Sequence, residues 1–183
     1  MNIKKTANLL LNFAIKRLAE IFGIIIFVSG IMLLIALMTY SPDDPNFIFP
    51  ENTQIKNLLG FQGSFISDLF FQSVGLVAYL VSFTFILTGV NIFREKDFFL
   101  IIENNFYTIL YSIFGTLFIS HFYSNNFTFY VNGNGGFVGN YLNQTFLNSV
   151  ILLNERLFYY ILILVTLFLF FVSINFSLKK FGG

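Results

Sequence analysis

The chain changes character most sharply at the stretch Thr39-Tyr40-Ser41-Pro42-Asp43-Asp44-Pro45-Asn46-Phe47. The nineteen residues from Ile21 to Thr39 carry no charge, whereas two prolines and two aspartates follow within the next six residues. Proline lacks a backbone N–H and disfavours a helical conformation in the residue before it. A carboxylate is costly inside hydrocarbon. We therefore predict that a membrane-spanning helix ends here, at a membrane surface.

The chain as a whole is too apolar for a typical soluble domain. Of its 183 residues, 56% are hydrophobic and 10% are charged, and the mean hydropathy is +0.78. Soluble domains carry about 25% charged residues. The sequence has no cysteine and one histidine, which excludes disulfides, thiolate chemistry and a His-rich metal site. These features predict an all-α integral membrane protein with no catalytic residue, no cofactor-binding residue and no metal site.

Four apolar runs are long enough to be transmembrane helices, because about 20 residues cross the hydrocarbon core. Within a membrane domain of residues 19–178, the predicted spans cover residues 21–40, 69–93, 106–123 and 157–176. Residues 1–18 form a predicted basic amphipathic helix, suited to an anionic membrane surface. A frayed cytosolic tail explains the same residues equally well. Residues 179–183 are the predicted start of a cytoplasmic linker.

The distribution of positive charge predicts the orientation in the membrane, because cytoplasmic segments carry an excess of Lys and Arg. Four such residues precede the first span, two lie in the turn at residues 94–97, and two follow the fourth span. The segments 41–68 and 124–156 carry one each. Eight positive residues inside and two outside predict that both termini are cytoplasmic.

Two of the predicted spans carry stripes of small residues, which let helix backbones approach closely in a membrane. The interpretation is helix packing, within a subunit or between subunits. The second-span stripe is Gly75, Ala78, Ser82 and Gly89, and the third-span stripe is Thr108, Ser112, Gly115, Thr116 and Ser120.

The outer segment before the fourth span contains a glycine-rich turn at residues 133–136. A phosphate-binding loop needs a preceding strand and a following helix, and neither context is present. Apolar residues recur on one side of residues 137–153, which predicts a short amphipathic helix lying on the outer membrane surface.

Two polar features allow a functional and a structural interpretation. His121, near the end of the third span, could relay protons, but interfacial hydrogen bonding is favoured because no acidic residue lies inside a predicted span. Asp43 and Asp44 could bind a cation, but two adjacent carboxylates are a thin ligand set. Capping of a turn by Asp44 or Ser41 is the favoured interpretation.

The motifs resemble, in order and spacing, those of the membrane domain of the FtsK/SpoIIIE family of bacterial DNA translocases. The resemblance extends over residues 15–180, and its departures are small: Asn46-Phe47 replaces Ser and an aromatic residue, and Ser64 and Ser67 replace alanines. The residues that carry the resemblance are Tyr40, Pro42, Asp44, Pro45, Asn57, Gly60, Gly63, Asp68, Gly75, Gly135, Gly136 and Gly139.

This resemblance implies a four-span domain of the bacterial inner membrane, recruited to the division septum. It implies a homo-oligomer, with a hexamer as the form that the family suggests, the lipid bilayer and other division proteins as partners, and no direct DNA contact. The family's ATP- and Mg-dependent motor would be a separate domain, since G-x-x-x-x-G-K-[ST] does not occur here.

Two other functions are compatible with a small multi-span protein. A transporter or channel would usually place ionisable residues or broken helices inside the membrane, and the predicted spans contain neither charges nor prolines. A membrane assembly factor unrelated to DNA is the third possibility.

Overall fold

The computed structural model describes residues 3–45, 54–124 and 132–175, with side chains from residue 8 onward. Every regular element in these ranges is helical. A 3₁₀ turn at Gly75–Val77 joins the second and third helices. The helices are α1 (Ile3–Met38), α2 (Gly60–Val74), α3 (Ala78–Glu95), α4 (Phe99–Phe122), α5 (Gly136–Asn143), α6 (Phe146–Leu153) and α7 (Glu155–Ser173).

The long helices pack as two pairs, α1 with α3 and α4 with α7. Small apolar clusters hold each pair, rather than one large core. One cluster joins Leu33 and Leu37 of α1 to Phe71 and Ala78, and another joins Leu117 of α4 to Leu162 of α7. The short helices α2 and α5 contact each other and connect the pairs at the end that holds residues 39–68. We call this the outer end, after the predicted topology.

The first helix is longer than the predicted span. Its 36 residues rise about 54 Å at 1.5 Å per residue, well over a hydrocarbon core of about 30 Å. The amphipathic segment predicted for residues 1–18 is therefore not a separate helix. It continues into the span because Leu18, Ala19 and Glu20 at the junction all favour helix. Residues 1 and 2 and the side chains of residues 3–7 lie outside the described part.

The predicted second span, residues 69–93, is not a single helix. Helix α2 ends at Val74, and Gly75 adopts φ 57° and ψ −140° before α3 begins at Ala78. Helix α2 also occupies residues 60–68, the last third of the predicted outer loop, residues 41–68. Gly75 therefore lies at a helix break and not within the packing stripe predicted for this span.

The third predicted span starts earlier than residue 106. Helix α4 begins at Phe99 and passes through Glu103, Asn104 and Asn105 without interruption. Asp97 starts this helix by accepting a hydrogen bond from the Phe99 N–H at 2.9 Å. Of the three polar residues, Asn104 is buried and hydrogen-bonded to Thr88 of α3 and to Asn175, whereas Glu103 and Asn105 are exposed.

The predicted amphipathic helix at residues 137–153 is divided into α5 and α6. Thr145 separates the two, and its hydroxyl accepts from the Leu147 N–H at 3.3 Å as an N-cap. Asn154 caps α7 in the same way by accepting from the Leu157 N–H at 3.1 Å. The fourth predicted span, residues 157–176, corresponds to α7.

Three stretches of the described chain are long and apolar enough to cross a membrane: Asn8–Met38, Gly60–Glu95 and Glu155–Ser173. Helix α4 has the length, with 24 residues, but is not among these three stretches. Large apolar side chains such as Ile25, Phe168 and Leu164 are exposed on the long helices, as expected of lipid-facing surfaces. The fold is thus an all-α multi-pass membrane domain. The predicted linker at residues 179–183 lies outside the described residues.

Candidate functional site at the outer end of the bundle

Motif residues that are far apart in the sequence meet at the outer end of α1. We call this group the corner cluster: Tyr40, Asp44, Pro45, Asn57, Gly63 and Asp68. Asp44 lies at its centre and is only 1% exposed. Its two carboxylate oxygens accept hydrogen bonds from the backbone N–H groups of Lys56, at 2.8 Å, and Asn57, at 2.9 Å. Asp44 therefore fixes the return of the chain toward α2.

Asn57 ends helix α1 from outside the helix. The last carbonyl groups of a helix have no intrahelical donor. The Asn57 Nδ2 donates to the Ala36 carbonyl at 2.9 Å, and its Oδ1 accepts from the Leu59 N–H at 3.0 Å. Gly63 packs directly below, where an added Cβ would lie 2.2 Å from Asn57 Oδ1. A side chain at position 63 would thus displace the amide that caps α1.

Tyr40 and Asp68 connect the corner to α2. The Tyr40 hydroxyl donates to Asp68 Oδ1 at 3.1 Å, and the Tyr40 ring packs edge-on against Phe71 at 5.0 Å. The Ser64 hydroxyl donates to the Pro45 carbonyl at 3.0 Å. The serine that departs from the family pattern at position 64 thus adds a bond within the corner cluster.

Other predicted members of this group are at its edge. Pro42 is exposed, and Gly60, which opens α2 at φ 67°, has open space around it. Asp43 points away from Asp44 and pairs with Lys56 at 2.9 Å, with 76% of its side chain exposed. This neighbour raises the pKa of Lys56. Because both oxygens of Asp44 bind backbone N–H groups, its arrangement matches the turn-capping interpretation. Asn46 and Phe47 lie outside the described residues.

A second group, the glycine interlock, consists of Gly75, Asn134, Gly135, Gly136 and Gly139. The Asn134 carbonyl accepts from the Leu76 N–H at 2.9 Å, at the break between α2 and α3. A Cβ on Gly75 would lie 1.9 Å from that carbonyl oxygen, and one on Gly136 would lie 2.6 Å from the Gly75 nitrogen. Both glycines have positive φ. The two backbones therefore touch in a way that a side chain at either position would prevent.

The interlock also holds the outer end of α4. The Asn134 Nδ2 donates to the Tyr123 carbonyl at 2.6 Å, and Asn134 Oδ1 is buried without a hydrogen-bond partner in the described part of the chain. Gly135 and Gly139 pack on Thr116 and Ser120 of α4, where added Cβ atoms would lie 2.1 and 2.4 Å from Ser120 Oγ. Residues 132–139 thus connect α2, α3 and α4.

The remaining predicted packing residues have different neighbours. Gly115 lies between Val77 and Thr166 of α7, so the outer half of the α4 stripe packs within the subunit. Ala78, Ser82 and Gly89 are buried on α3. Thr108 and Ser112 instead line an open cavity of about 420 Å³ between α2, α3 and α4.

Sequence reasoning missed the glycines of α1 that face α3. Added Cβ atoms would lie 2.7 Å from the Phe93 nitrogen for Gly23 and 2.7 Å from the Ile86 nitrogen for Gly30. Their seven-residue spacing, with Ala19, Leu33 and Leu37 in register, was the available signal.

A polar network between α3, α4 and α7 was also missed. Asn104 donates to Thr88 Oγ1 at 2.8 Å and accepts from Asn175 Nδ2 at 3.2 Å. Thr84 Oγ1 lies 3.0 Å from the Tyr111 hydroxyl and 3.2 Å from Ser173 Oγ. Polar side chains at this depth are expected to find partners on facing helices. At the outer end, His121 Nδ1 lies 3.1 Å from Asn143 Oδ1, an interfacial hydrogen bond between α4 and α5.

Comparison with known proteins gives one family. Residues 15–182 match the family described as the 4TM region of DNA translocase FtsK/SpoIIIE. Among curated proteins, the DNA translocase FtsK of Caulobacter vibrioides is 35% identical over 79 residues, covering 43% of this chain and 10% of that protein. The DNA translocase FtsK of Azospirillum brasilense is 27% identical over 112 residues, covering 60% of this chain and 17% of that protein.

A third relative, the DNA translocase FtsK of Rickettsia typhi, is 29% identical over 77 residues, which cover 42% of this chain and 10% of the relative. The chain thus spans less than a fifth of the length of the curated relatives that it matches. No solved structure matches it.

Proposed function

Because the chain belongs to the family described as the 4TM region of DNA translocase FtsK/SpoIIIE, we propose that it anchors and oligomerises a septal DNA translocase in the membrane. In this role it acts in cell division and chromosome segregation and is not itself an enzyme. ATP and Mg are used by a separate motor domain, and the chain itself binds no cofactor. Its partners are the lipid bilayer, further copies of the chain, up to a hexamer, and other division proteins, but not DNA.

The observation that carries the proposal is the structural role of the family-motif residues. The corner cluster and the glycine interlock consist of backbone caps, buried hydrogen bonds and backbone contacts. Such groups fix the geometry of helix ends and do no chemistry on a substrate. A rigid outer end joined to packed helix pairs is what an anchor requires when a motor exerts force on it.

We further propose that all four long helices α1, α3, α4 and α7 cross the inner membrane, with both termini cytoplasmic. The charge distribution supports this topology, since eight of ten Lys and Arg residues lie on the predicted inner side. The corner cluster, the interlock and helices α5 and α6 then face outward. There they present a surface to division proteins.

Localisation in dividing cells tests the septal role. The chain fused at its C-terminus to a fluorescent protein is expected to accumulate at the septum of its own bacterium. Replacing Pro42 and Pro45 together by Ala is expected to reduce this accumulation while membrane insertion remains, because the turn that positions Asp44 loses its rigidity. Uniform fluorescence around the membrane with the unmodified chain would contradict the proposal.

Native mass spectrometry from nanodiscs tests assembly separately. We expect species heavier than one chain, with small-residue faces such as Thr108 and Ser112 at the interface because they line an open cavity. Replacing Ser112 by Phe should then reduce the heavier species. The matched substitution Ile161→Phe, on an exposed apolar position of α7, should leave them unchanged. Only monomers from the unmodified chain would refute oligomerisation.

A further inference from the structure

An apolar groove runs along the crossing of α1 and α3 toward the inner end of the bundle. It has a volume of about 240 Å³ and is open to one side. Gly23 and Gly89 form its floor, because the two backbones touch there. The side chains of Ile24, Phe27, Val90 and Phe93 form its walls, with Ile24 and Phe93 close to half exposed.

An ion triad closes the inner end of this groove. Glu20 accepts from Arg17 Nη1 at 2.6 Å through one carboxylate oxygen and pairs with Lys96 Nζ at 2.7 Å through the other. On α1, Glu20 lies three residues before Gly23 and seven before Phe27, so the three share one face. On α3, Phe93 lies three residues before Lys96. The triad is therefore one helical turn beyond the groove.

The triad carries an unbalanced positive charge. Two cations share one carboxylate, and 56% of the Arg17 side chain and 37% of the Lys96 side chain remain exposed. Of the two neighbouring acids, Asp97 accepts from the Phe99 N–H, and Glu95 lies exposed beside exposed Arg94 at the end of α3. Including Lys16 and Glu103, the described ionisable residues at this end sum to zero, so the excess positive charge is local to Arg17 and Lys96.

We propose that the groove and the triad together bind one anionic phospholipid. Its acyl chain lies in the groove against Ile24 and Phe93, and its phosphate accepts hydrogen bonds from Arg17 and Lys96. A basic cluster beside an apolar groove at a membrane boundary matches the charge and shape of such a lipid. The lipid would fill the space beside the glycine contact and so support the pairing of α1 with α3.

Brominated lipids test the proposal directly. The chain has no Trp, so Phe93→Trp places a single tryptophan in the groove wall, and Leu164→Trp places one on the exposed surface of α7 as a control. Both proteins are reconstituted into phosphatidylcholine vesicles with brominated phosphatidylglycerol or brominated phosphatidylcholine as the quencher. We expect about a fivefold preference for phosphatidylglycerol at position 93, and none at position 164.

Charge variants in the Phe93→Trp background separate binding from folding. Lys96→Gln and Arg17→Gln should each lower the preference for phosphatidylglycerol over phosphatidylcholine toward a ratio of one. Glu20→Gln should raise it, because both cations are then released toward the phosphate, whereas a purely structural triad would lose the preference along with its geometry. Lys56→Gln, at the outer end, should change nothing.

Equal preference at positions 93 and 164 would overturn the proposal, as would a loss of preference in Glu20→Gln. No motor, partner or assembly enters the experiment. Its outcome is therefore independent of the proposed anchoring function.

Discussion

At the scale of single residues, the outer corner shows how different two adjacent aspartates can be. Asp44 is buried and satisfies two backbone N–H groups, whereas Asp43 is exposed and pairs with Lys56. Leaving a buried hydrogen-bond donor unsatisfied lowers the free energy of unfolding much more than losing a surface ion pair does. The two residues therefore form a matched pair for mutation.

Asp44→Ala is expected to lower the free energy of unfolding by about 2 kcal/mol or more, because two buried N–H groups lose their acceptor. Asp43→Ala is expected to have a small effect. Reversible unfolding in mixed micelles, followed by circular dichroism, measures both. Similar losses in the two variants would show that Asp44 does not hold the corner.

Gly136 and Gly60 form a second matched pair. Their φ angles are nearly equal, at 65° and 67°, but their surroundings differ. An Ala at either position meets the same backbone strain, about 1 kcal/mol. Only at Gly136 does the new methyl group meet the backbone of Gly75 and Ser73, at 2.6 to 2.7 Å. Gly136→Ala should therefore cost at least about 3 kcal/mol, and Gly60→Ala much less. Equal unfolding free energies would contradict the interlock.

The sequence could single out these residues but not their partners. The family motifs named Asp44, Asn57 and Gly63, but nothing in the sequence places the Asn57 amide on the Ala36 carbonyl. That contact depends on the path of the chain between α1 and α2. The same holds for Gly75, whose neighbour Asn134 is 59 residues later.

At the scale of helices, hydrophobicity predicted the apolar cores of α1, α4 and α7 but not the ends or breaks. The break at Gly75 was missed because its cause is a carbonyl group from another segment. The third predicted span starts at residue 106 because Glu103, Asn104 and Asn105, just before it, are too polar to be favourable in lipid. They remain in α4, and Asn104 forms hydrogen bonds with Thr88 of α3 and with Asn175, just after the end of α7.

Asn104→Leu is expected to weaken the contact of α4 with α3 and α7, with a loss of about 1 to 2 kcal/mol for its two interhelical hydrogen bonds. The neighbouring variant Asn105→Leu should have little effect, since Asn105 is exposed. Unfolding in mixed micelles again provides the measurement. A larger loss in Asn105→Leu than in Asn104→Leu would rule out the network as a link between the helix pairs.

At the scale of the whole molecule, two helix pairs are joined at the outer end by the corner cluster and the interlock. This arrangement functions as an anchor only if both clusters are on the same side of the membrane. That in turn requires α4 to cross, although α4 is not among the three stretches of the described chain that are long and apolar enough to span a membrane.

Cysteine labelling tests this central claim most directly, because the chain has no cysteine of its own. Single substitutions at exposed positions report each side: Leu58→Cys beside the corner, Ser149→Cys on α6 and Asp97→Cys between α3 and α4. A membrane-impermeant maleimide is applied to right-side-out and inverted membrane vesicles. We predict that positions 58 and 149 are labelled in right-side-out vesicles and position 97 only in inverted ones. Labelling of position 149 together with position 97 would contradict it.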